Sequence, residues 1–305
     1  MRVGVTGSSG LIGSALVAAL LERSDEVIRF LRPTSGEVGK NNIRWNPTRG
    51  QVDDTDLRRL GGFDAVVNLA GAGIADHRWS AERKQEILNS RVDSTTLLVR
   101  LLSEGSCTTQ ILVSGSAIGI YGSRGDEILD ESSPPGTGFL ADVCIRWERA
   151  ATESSGTGTK VALLRTGLVM SQGGGALKRQ LPLFRLGLGG KLSTGRQWLS
   201  PISLVDEVRA ILWVIDHQIE GPINLTAPSP LTNKNFTRSL ARQLHRPDWA
   251  TVPSPALKLA LGAELASEAL LASQRVIPAV LTEHGFAFHQ PEIDLIFSSV
   301  LAGAS

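Results

Sequence analysis

The 305-residue sequence predicts an α/β protein, a doubly wound parallel sheet with a smaller, mostly helical C-terminal lobe. Three observations carry that prediction. The chain opens on a short apolar strand that passes through three spaced glycines into a helix. Strands rich in β-branched residues then alternate with helical stretches over residues 1–170, which requires parallel β-α-β units with right-handed crossovers. Beyond Val169 the texture changes to glycine, basic residues and Ala/Leu-rich helices, so residues 171–305 form a second lobe with segments that cross back to the first.

The elements follow in order. "RVGVT" is a buried strand stopped by Gly7, and "LIGSALVAALLER" a helix of strong helix formers. "DEVIRFLR" is a second strand, halted at Arg32-Pro33 because proline cannot continue the ladder. "NIRWN" is a short extra strand and "FDAVVNLAG" a core strand closed by Gly71. A long helix runs from about Ser80 to Leu102, with Ser80 as N-cap and Glu82 as a first-turn acid. "TQILVSGSA" is the next strand, a helix covers about Gly138–Glu153, and "KVALLRTGLV" is a further strand. The Gly- and Lys/Arg-rich run "SQGGGALKRQLPLFRLGLGGKLSTGRQ" reads as a loop that covers a ligand. "LVDEVRAILWVID" is a helix, "GPINLTA" a strand and "NKNFTRSLARQL" a helix. "SPALKLALGAELASEALLASQ" reads as one helix, and the tail as a turn and a terminal helix.

Composition bounds the function. With 42% apolar and 20% charged residues the chain can bury a sizeable core, and a net charge of +1 argues against a nucleic-acid face. Cys107 and Cys144 make neither a disulfide framework nor a metal pattern. His77, His217, His245, His284 and His289 stand apart without ligand spacing, so no metal is expected. Met1 leads directly into the first strand and no apolar run reaches membrane-spanning length. The expectation is a cytoplasmic protein acting on a small molecule, with neither nucleic acid nor membrane as partner.

"TGSSGLIG" places Gly7, Gly10 and Gly13 at G-x-x-G-x-x-G between strand and helix, the opening of a Rossmann dinucleotide-binding unit. Gly7 allows the tight turn, Gly10 the close approach of a pyrophosphate and Gly13 close helix–strand packing, with phosphates on the free amides of the helix start. The tip of the second strand selects the nucleotide. A carboxylate there binds the ribose hydroxyls of NAD, whereas arginine pairs with the extra phosphate of NADP. This chain has Arg32 and no acid before Glu37, which predicts NADP(H). "NLAG", ending at Gly71, offers small residues under the ribose, with Asn68 either a ligand or a satisfied buried polar group. Glu86 and Arg91 either reach the adenosine half or form surface ion pairs.

The stretches "TGSSGLIG", "VVNLAGAGI", "RWSAERKQEILNSRV", "LVSGSAIGIYG", "FLADVCIRWERAA", "LRTGLVMSQGGGAL", "LGLGGKLSTGRQW" and "ASQRVIPAVLTEHGFAF" run almost end to end. In them the chain resembles the short-chain dehydrogenase/reductases, in the extended, sugar-nucleotide-epimerase-like branch. More narrowly it resembles the atypical group labelled putative NAD-dependent epimerase, sometimes cell division inhibitor-like. That resemblance implies NADP(H) contacts at Gly7, Ser9, Gly10, Leu11, Ile12 and Gly13, at Leu31 and Arg32, and at Leu69, Ala70 and Gly71. It extends them to Glu86, Arg91 and Val169. Leu31 departs from the small polar residue usual before the arginine, which removes a hydroxyl partner for the phosphate.

The superfamily's acid/base group is Tyr-x-x-x-Lys, in which the lysine cation lowers the tyrosine pKa. Here the one tyrosine, Tyr121, is followed four residues later by Gly125. Aligning Glu148 with the glutamate that follows the motif puts Leu140 and Cys144 in the Tyr and Lys positions, and neither performs that chemistry. Ser116 falls where the superfamily's active-site serine lies. Tyr121, on the next loop, is a second candidate proton donor, and Cys144 a third, with only Arg146 nearby in sequence to lower its pKa. Arg165 and Arg196 are candidate anchors for an anionic or polar substrate, and Trp198 either stacks on a ring or packs at the rim. Two functions follow. One is an NADP(H)-dependent oxidoreductase or isomerase with an unusual proton carrier; the other is a non-catalytic NADP(H) redox sensor acting through a protein partner.

Overall fold

The computed structural model describes residues 1–32, 39–60, 62–153 and 158–302. Its eight-stranded sheet consists of β1 (Arg2–Thr6), β2 (Glu26–Leu31), β3 (Asn42–Asn46), β4 (Gln51–Val52), β5 (Ala65–Asn68), β6 (Ile111–Ala117), β7 (Lys160–Thr166) and β8 (Gly221–Leu225). Their spatial order is β8-β7-β6-β5-β1-β2-β3-β4. The β1–β2, β1–β5, β2–β3 and β5–β6 pairs are parallel, and β4 returns antiparallel to β3. The order reverses direction at β1, which has β2 on one side and β5 on the other. In open α/β sheets such a switch point opens a crevice at the carboxyl ends of the strands, where ligands bind.

The helices are α1 (Leu11–Glu22), α2 (Asp54–Leu60), α3 (Ala81–Ser103), α4 (Phe139–Thr152), α5 (Gly175–Arg185), α6 (Leu204–His217), α7 (Asn233–Gln243) and α8 (Ser254–Leu261), followed by shorter turns and a terminal helix, Ile293–Ala302. Ser80 caps α3 by accepting the Arg83 amide at 3.2 Å, and Glu82 stands in its first turn, both as the sequence predicts.

Three segments differ from expectation. The basic run after Val169 contains α5, whose Leu177, Leu181 and Phe184 recur at helical spacing and are buried. The "SPALKLALGAELASEALLASQ" helix breaks at Gly262, where φ is +95°, and resumes as a short turn and a π-helical stretch, Ala266–Leu270. α2 was not anticipated; Asp53 Oδ1 accepts the Thr55 and Asp56 amides at its start.

The chain divides into two compact units. The first comprises residues 1–116, 143–164 and 211–222. Phe30, Trp45, Phe63, Leu97 and Leu101 belong to its core, with the Phe30 and Trp45 rings edge to face at 5.5 Å. The second comprises residues 117–142, 165–210 and 223–305, so it takes in segments from before residue 170. Its core gathers Met170, Leu177, Leu181, Phe184, Phe236, Leu240 and Phe297. Short strand pairs brace it, among them Leu168–Met170 with Pro201–Ser203. Among the described residues no helix is long and apolar enough to cross a membrane.

Candidate functional site

The three glycines of the first turn have separate physical reasons. Gly7 has φ +61°, and a Cβ there would lie 2.4 Å from the Leu69 carbonyl oxygen. At Gly13 a Cβ would lie 2.2 Å from the Gly7 oxygen. Both glycines are therefore demanded by the fold itself. Gly10 is under less constraint: its φ is −76°, and a Cβ there would meet the Gly7 oxygen at a tight 3.3 Å. A methyl group at Gly10 would instead fill the space above the turn. Gly10 opens α1 without a side-chain cap, its carbonyl takes the Ser14 amide, and no acid stands in the first turn. The first-turn amides of Leu11, Ile12 and Gly13 precede the first intrahelical donor and carry the positive end of the helix dipole. Ser9 and Gly10 are exposed beside them, and Leu11 and Ile12 are half-buried. This is a cradle for a pyrophosphate, and the residues present fit a dinucleotide.

At the end of β2, Leu31 is half-buried and Arg32 exposed. Among the described residues no carboxylate pairs with Arg32; Glu37 lies outside them. Across the switch point, Asn68 is fully buried and satisfied, accepting from Thr6 Oγ1 at 2.7 Å and donating to Thr95 Oγ1 at 2.8 Å. Thr6 Oγ1 also accepts the Leu69 and Ala70 amides at 3.1 and 3.2 Å, which fixes the strand end on which the sequence places a ribose. Asn68 thus shapes the floor from beneath.

Gly71 lies against Arg91, and a Cβ there would come 3.1 Å from the guanidinium carbon. Arg91 Nη1 donates to the Ala72 and Ile87 carbonyls at 3.0 and 2.9 Å, and the guanidinium lies 5.2 Å from the centre of the Trp147 ring. Burial lowers the Arg91 pKa, and the neighbouring Cys144 sulfur opposes that shift. Arg91 is therefore a cation beside Cys144 that proximity in sequence does not reveal. Glu86 and Arg91 do not act as a pair: Glu86 is exposed and bonds Arg83 at 2.5 Å.

In α4, Leu140 is half-buried and Cys144 buried. One helical turn past Cys144, Glu148 accepts the Ser116 hydroxyl at 2.7 Å, with Ser116 only 5% and Glu148 8% exposed. Gly115 is required beside it, because a Cβ would lie 2.7 Å from the Trp147 ring. The carboxyl end of β6 therefore presents a serine whose hydroxyl proton is aimed at a buried carboxylate.

In the second unit, Tyr121 is fully buried; its hydroxyl donates to Asn224 Oδ1 at 2.8 Å and accepts from Arg165 Nη1 at 2.9 Å. Burial raises its pKa. Arg165 also donates to the Glu131 carbonyl at 3.2 Å. The Glu131 carboxylate accepts the Asn224, Ala279 and Val280 amides at 2.9, 3.1 and 3.3 Å. These contacts join the segments that carry Tyr121, Glu131, Arg165 and Asn224. The buried Glu131 carries no sequence signal that marks it. Arg196 is exposed. Trp198 donates to Asp126 at 2.7 Å beneath the Arg275 guanidinium, a rim position. Val169 is half-buried in the Leu168–Met170 strand. Among the described residues no His, Cys, Asp or Glu cluster could hold a metal ion.

Residues 3–225 match the NAD dependent epimerase/dehydratase family, and residues 252–299 a domain of unknown function, DUF1731. An epimerase family protein of Mycobacterium tuberculosis is 44% identical over 95% of this chain and 94% of its own length. A chloroplastic SDR39U1 homologue of Arabidopsis thaliana is 36% identical over 94% of this chain and 83% of its own. The crystal structure of human epimerase family protein SDR39U1 with NADPH superposes with a TM-score of 0.87 at 29% identity, over 99% of both chains. A Thermus thermophilus UDP-glucose 4-epimerase shares the fold, with a TM-score of 0.73 at 20% identity. A Rossmann-like sheet, a dinucleotide cradle and sequence identity along nearly the whole chain converge, and the chain belongs to the NAD dependent epimerase/dehydratase family.

Proposed function

We propose that this protein binds NADP(H) in preference to NAD(H) and acts as an oxidoreductase or isomerase on a small hydroxyl- or carbonyl-bearing substrate. The observation that carries the reading is the start of α1, where Gly10 leaves amides that no side chain caps, with Arg32 rather than a carboxylate at the tip of β2. The human relative crystallised with NADPH supports the cofactor assignment. When bound, the nicotinamide supplies the hydride donor or acceptor.

The residues of the chain divide the remaining work. The first-turn amides of α1 neutralise the pyrophosphate and Arg32 grips the additional phosphate. Ser116 handles the proton. Because its hydroxyl donates to Glu148, its oxygen keeps its lone pairs as acceptors. In oxidation the substrate O–H bond breaks, its proton passes to Ser116 Oγ, and the serine proton passes to Glu148. The hydride of the substrate C–H bond would go to the acceptor that a bound nicotinamide supplies. The reverse sequence serves reduction. General acid/base help of this kind contributes about 10²–10⁴-fold.

Arg32→Ala tests the cofactor half. Loss of a charge-assisted phosphate contact, about 1.5–3 kcal/mol, weakens NADPH by about ten-fold or more and leaves NADH within about two-fold. Equal Kd values for the two nucleotides in both proteins would remove the claim. A second reading rests on Leu140 and Cys144, which stand where the Tyr and Lys of active relatives are expected. On that reading the protein is a redox sensor that binds without turning over. A screen of quinones, aldehydes, ketones and nucleotide sugars, following NADPH absorbance, separates the two. Turnover that falls in both Ser116→Ala and Glu148→Gln supports the enzyme; tight binding without turnover supports the sensor.

A further inference from the structure

The cofactor contacts implied by resemblance include Arg32 but not Arg29, which lies three residues earlier in the same strand. Arg29 is half-buried in the interior strand β2, directly across from Val5 of β1 and flanked by the buried Ile28 and Phe30. A strand position of that kind ordinarily carries an apolar residue, and a partly desolvated guanidinium without a counter-ion is costly. Its Nε donates to Ser8 Oγ at 3.1 Å. Ser8 is itself 2% exposed and belongs to the turn between Gly7 and Gly10. Among the described residues the two Nη groups have no hydrogen-bond partner and no carboxylate pairs with them. The acids at the start of β2 are occupied elsewhere: Asp25 by the N-terminal ammonium and Arg23, Glu26 by Arg2.

We propose that Arg29, clamped by Ser8, is a second specificity-determining cation for the phosphate on the adenosine ribose. Successive strand residues advance about 3.3 Å, so the Cα atoms of Arg29 and Arg32 stand roughly 10 Å apart along the strand. Side chains alternate faces along a strand, so Arg29 shares its face with Leu31. Its bond to Ser8, in the turn after β1, directs it toward the strand end at which Arg32 stands. The pyrophosphate belongs to the helix start at Gly10, whereas the end of β2 is where the ribose hydroxyls lie in sheets with this turn. Ser8 uses the inner nitrogen of the guanidinium and leaves the outer pair to donate. A group fixed in this way loses little side-chain entropy on binding a phosphate.

This inference rests on the NADP(H) reading above and can fail separately from it. The test is the ratio of NADH to NADPH dissociation constants, measured by calorimetry in the wild type, Arg29→Leu, Arg29→Lys and Ser8→Ala. Arg29→Leu weakens NADPH about ten-fold or more and changes NADH less than about two-fold. Arg29→Lys keeps part of the preference, and Ser8→Ala, which frees the guanidinium but retains it, lowers the preference by a smaller factor. In 31P NMR the ribose phosphate resonance of bound NADPH moves in Arg29→Leu more than the pyrophosphate resonances. Equal weakening of both nucleotides in Arg29→Leu or Arg29→Lys would assign Arg29 to the pyrophosphate or to the fold and overturn the inference. So would an unchanged ratio beside an intact wild-type preference. Failure of the wild type to bind NADPH overturns both readings together.

Discussion

At the scale of single residues, the glycines separate fold from function. Gly13→Ala places a methyl group 2.2 Å from the Gly7 carbonyl oxygen, against backbone that cannot yield cheaply. Overpacking of that kind costs about 1–3 kcal/mol or more, read as a lower midpoint in urea unfolding without ligand. Gly10→Ala faces one tight contact, 3.3 Å from the Gly7 oxygen, so its midpoint falls less than that of Gly13→Ala while NADPH affinity falls about ten-fold or more. If Gly10→Ala bound NADPH normally, the cradle would be misplaced. Spacing alone makes these three glycines look equivalent; only the atoms around each one show how tightly the fold holds it. Tyr121 and Arg165 stand out as residue types, but their mutual hydrogen bond, a pairing across 44 positions, is not visible in a linear sequence.

At the scale of elements, local signals that matched tertiary packing were legible. Ser80 and Glu82 mark the start of α3 in sequence, and the Ser80 hydroxyl does accept the Arg83 amide. Ser80→Ala removes that cap and lowers stability by about 1 kcal/mol, while Ser80→Asp recovers most of it. Equal stability of all three proteins by chemical denaturation would show that the cap contributes nothing. α5 was hidden because Gly173, Gly174 and Gly175 and the internal Pro182 read as loop chemistry, while the Leu177–Leu181–Phe184 spacing that marks the helix is short. Apolar periodicity joined the segment around Gly262 into one helix, but a positive φ at a single residue ends it. The pairing of Ser116 with Glu148 spans 32 residues and two elements, so the position of the serine at the end of a core strand was legible and its acceptor was not.

At the scale of the whole molecule, alternation of strand and helix was enough to read the parallel sheet, and the switch point at β1 follows from the observed strand order. Buried charge was not legible in the same way. Among the described residues Glu207, fully buried in α6, accepts only the Thr166 hydroxyl, at 2.8 Å, and burial raises its pKa to about 8. Between pH 4.5 and about 8 the folded protein therefore holds a proton that the unfolded chain has released, so this group makes stability fall as pH rises through that window. Glu207→Gln keeps the acceptor for Thr166 and removes the titration. Its midpoint gains on wild type between pH 5 and pH 8.5, and a difference independent of pH would contradict the assignment. The central claim concerns the nucleotide that the sheet, the glycine turn and the arginines of β2 hold together. Calorimetric titration of the purified wild-type protein with NADPH and with NADH tests it most directly. The account predicts saturable binding of NADPH at least about ten-fold tighter than NADH; equal affinities, or no heat with either, would contradict it.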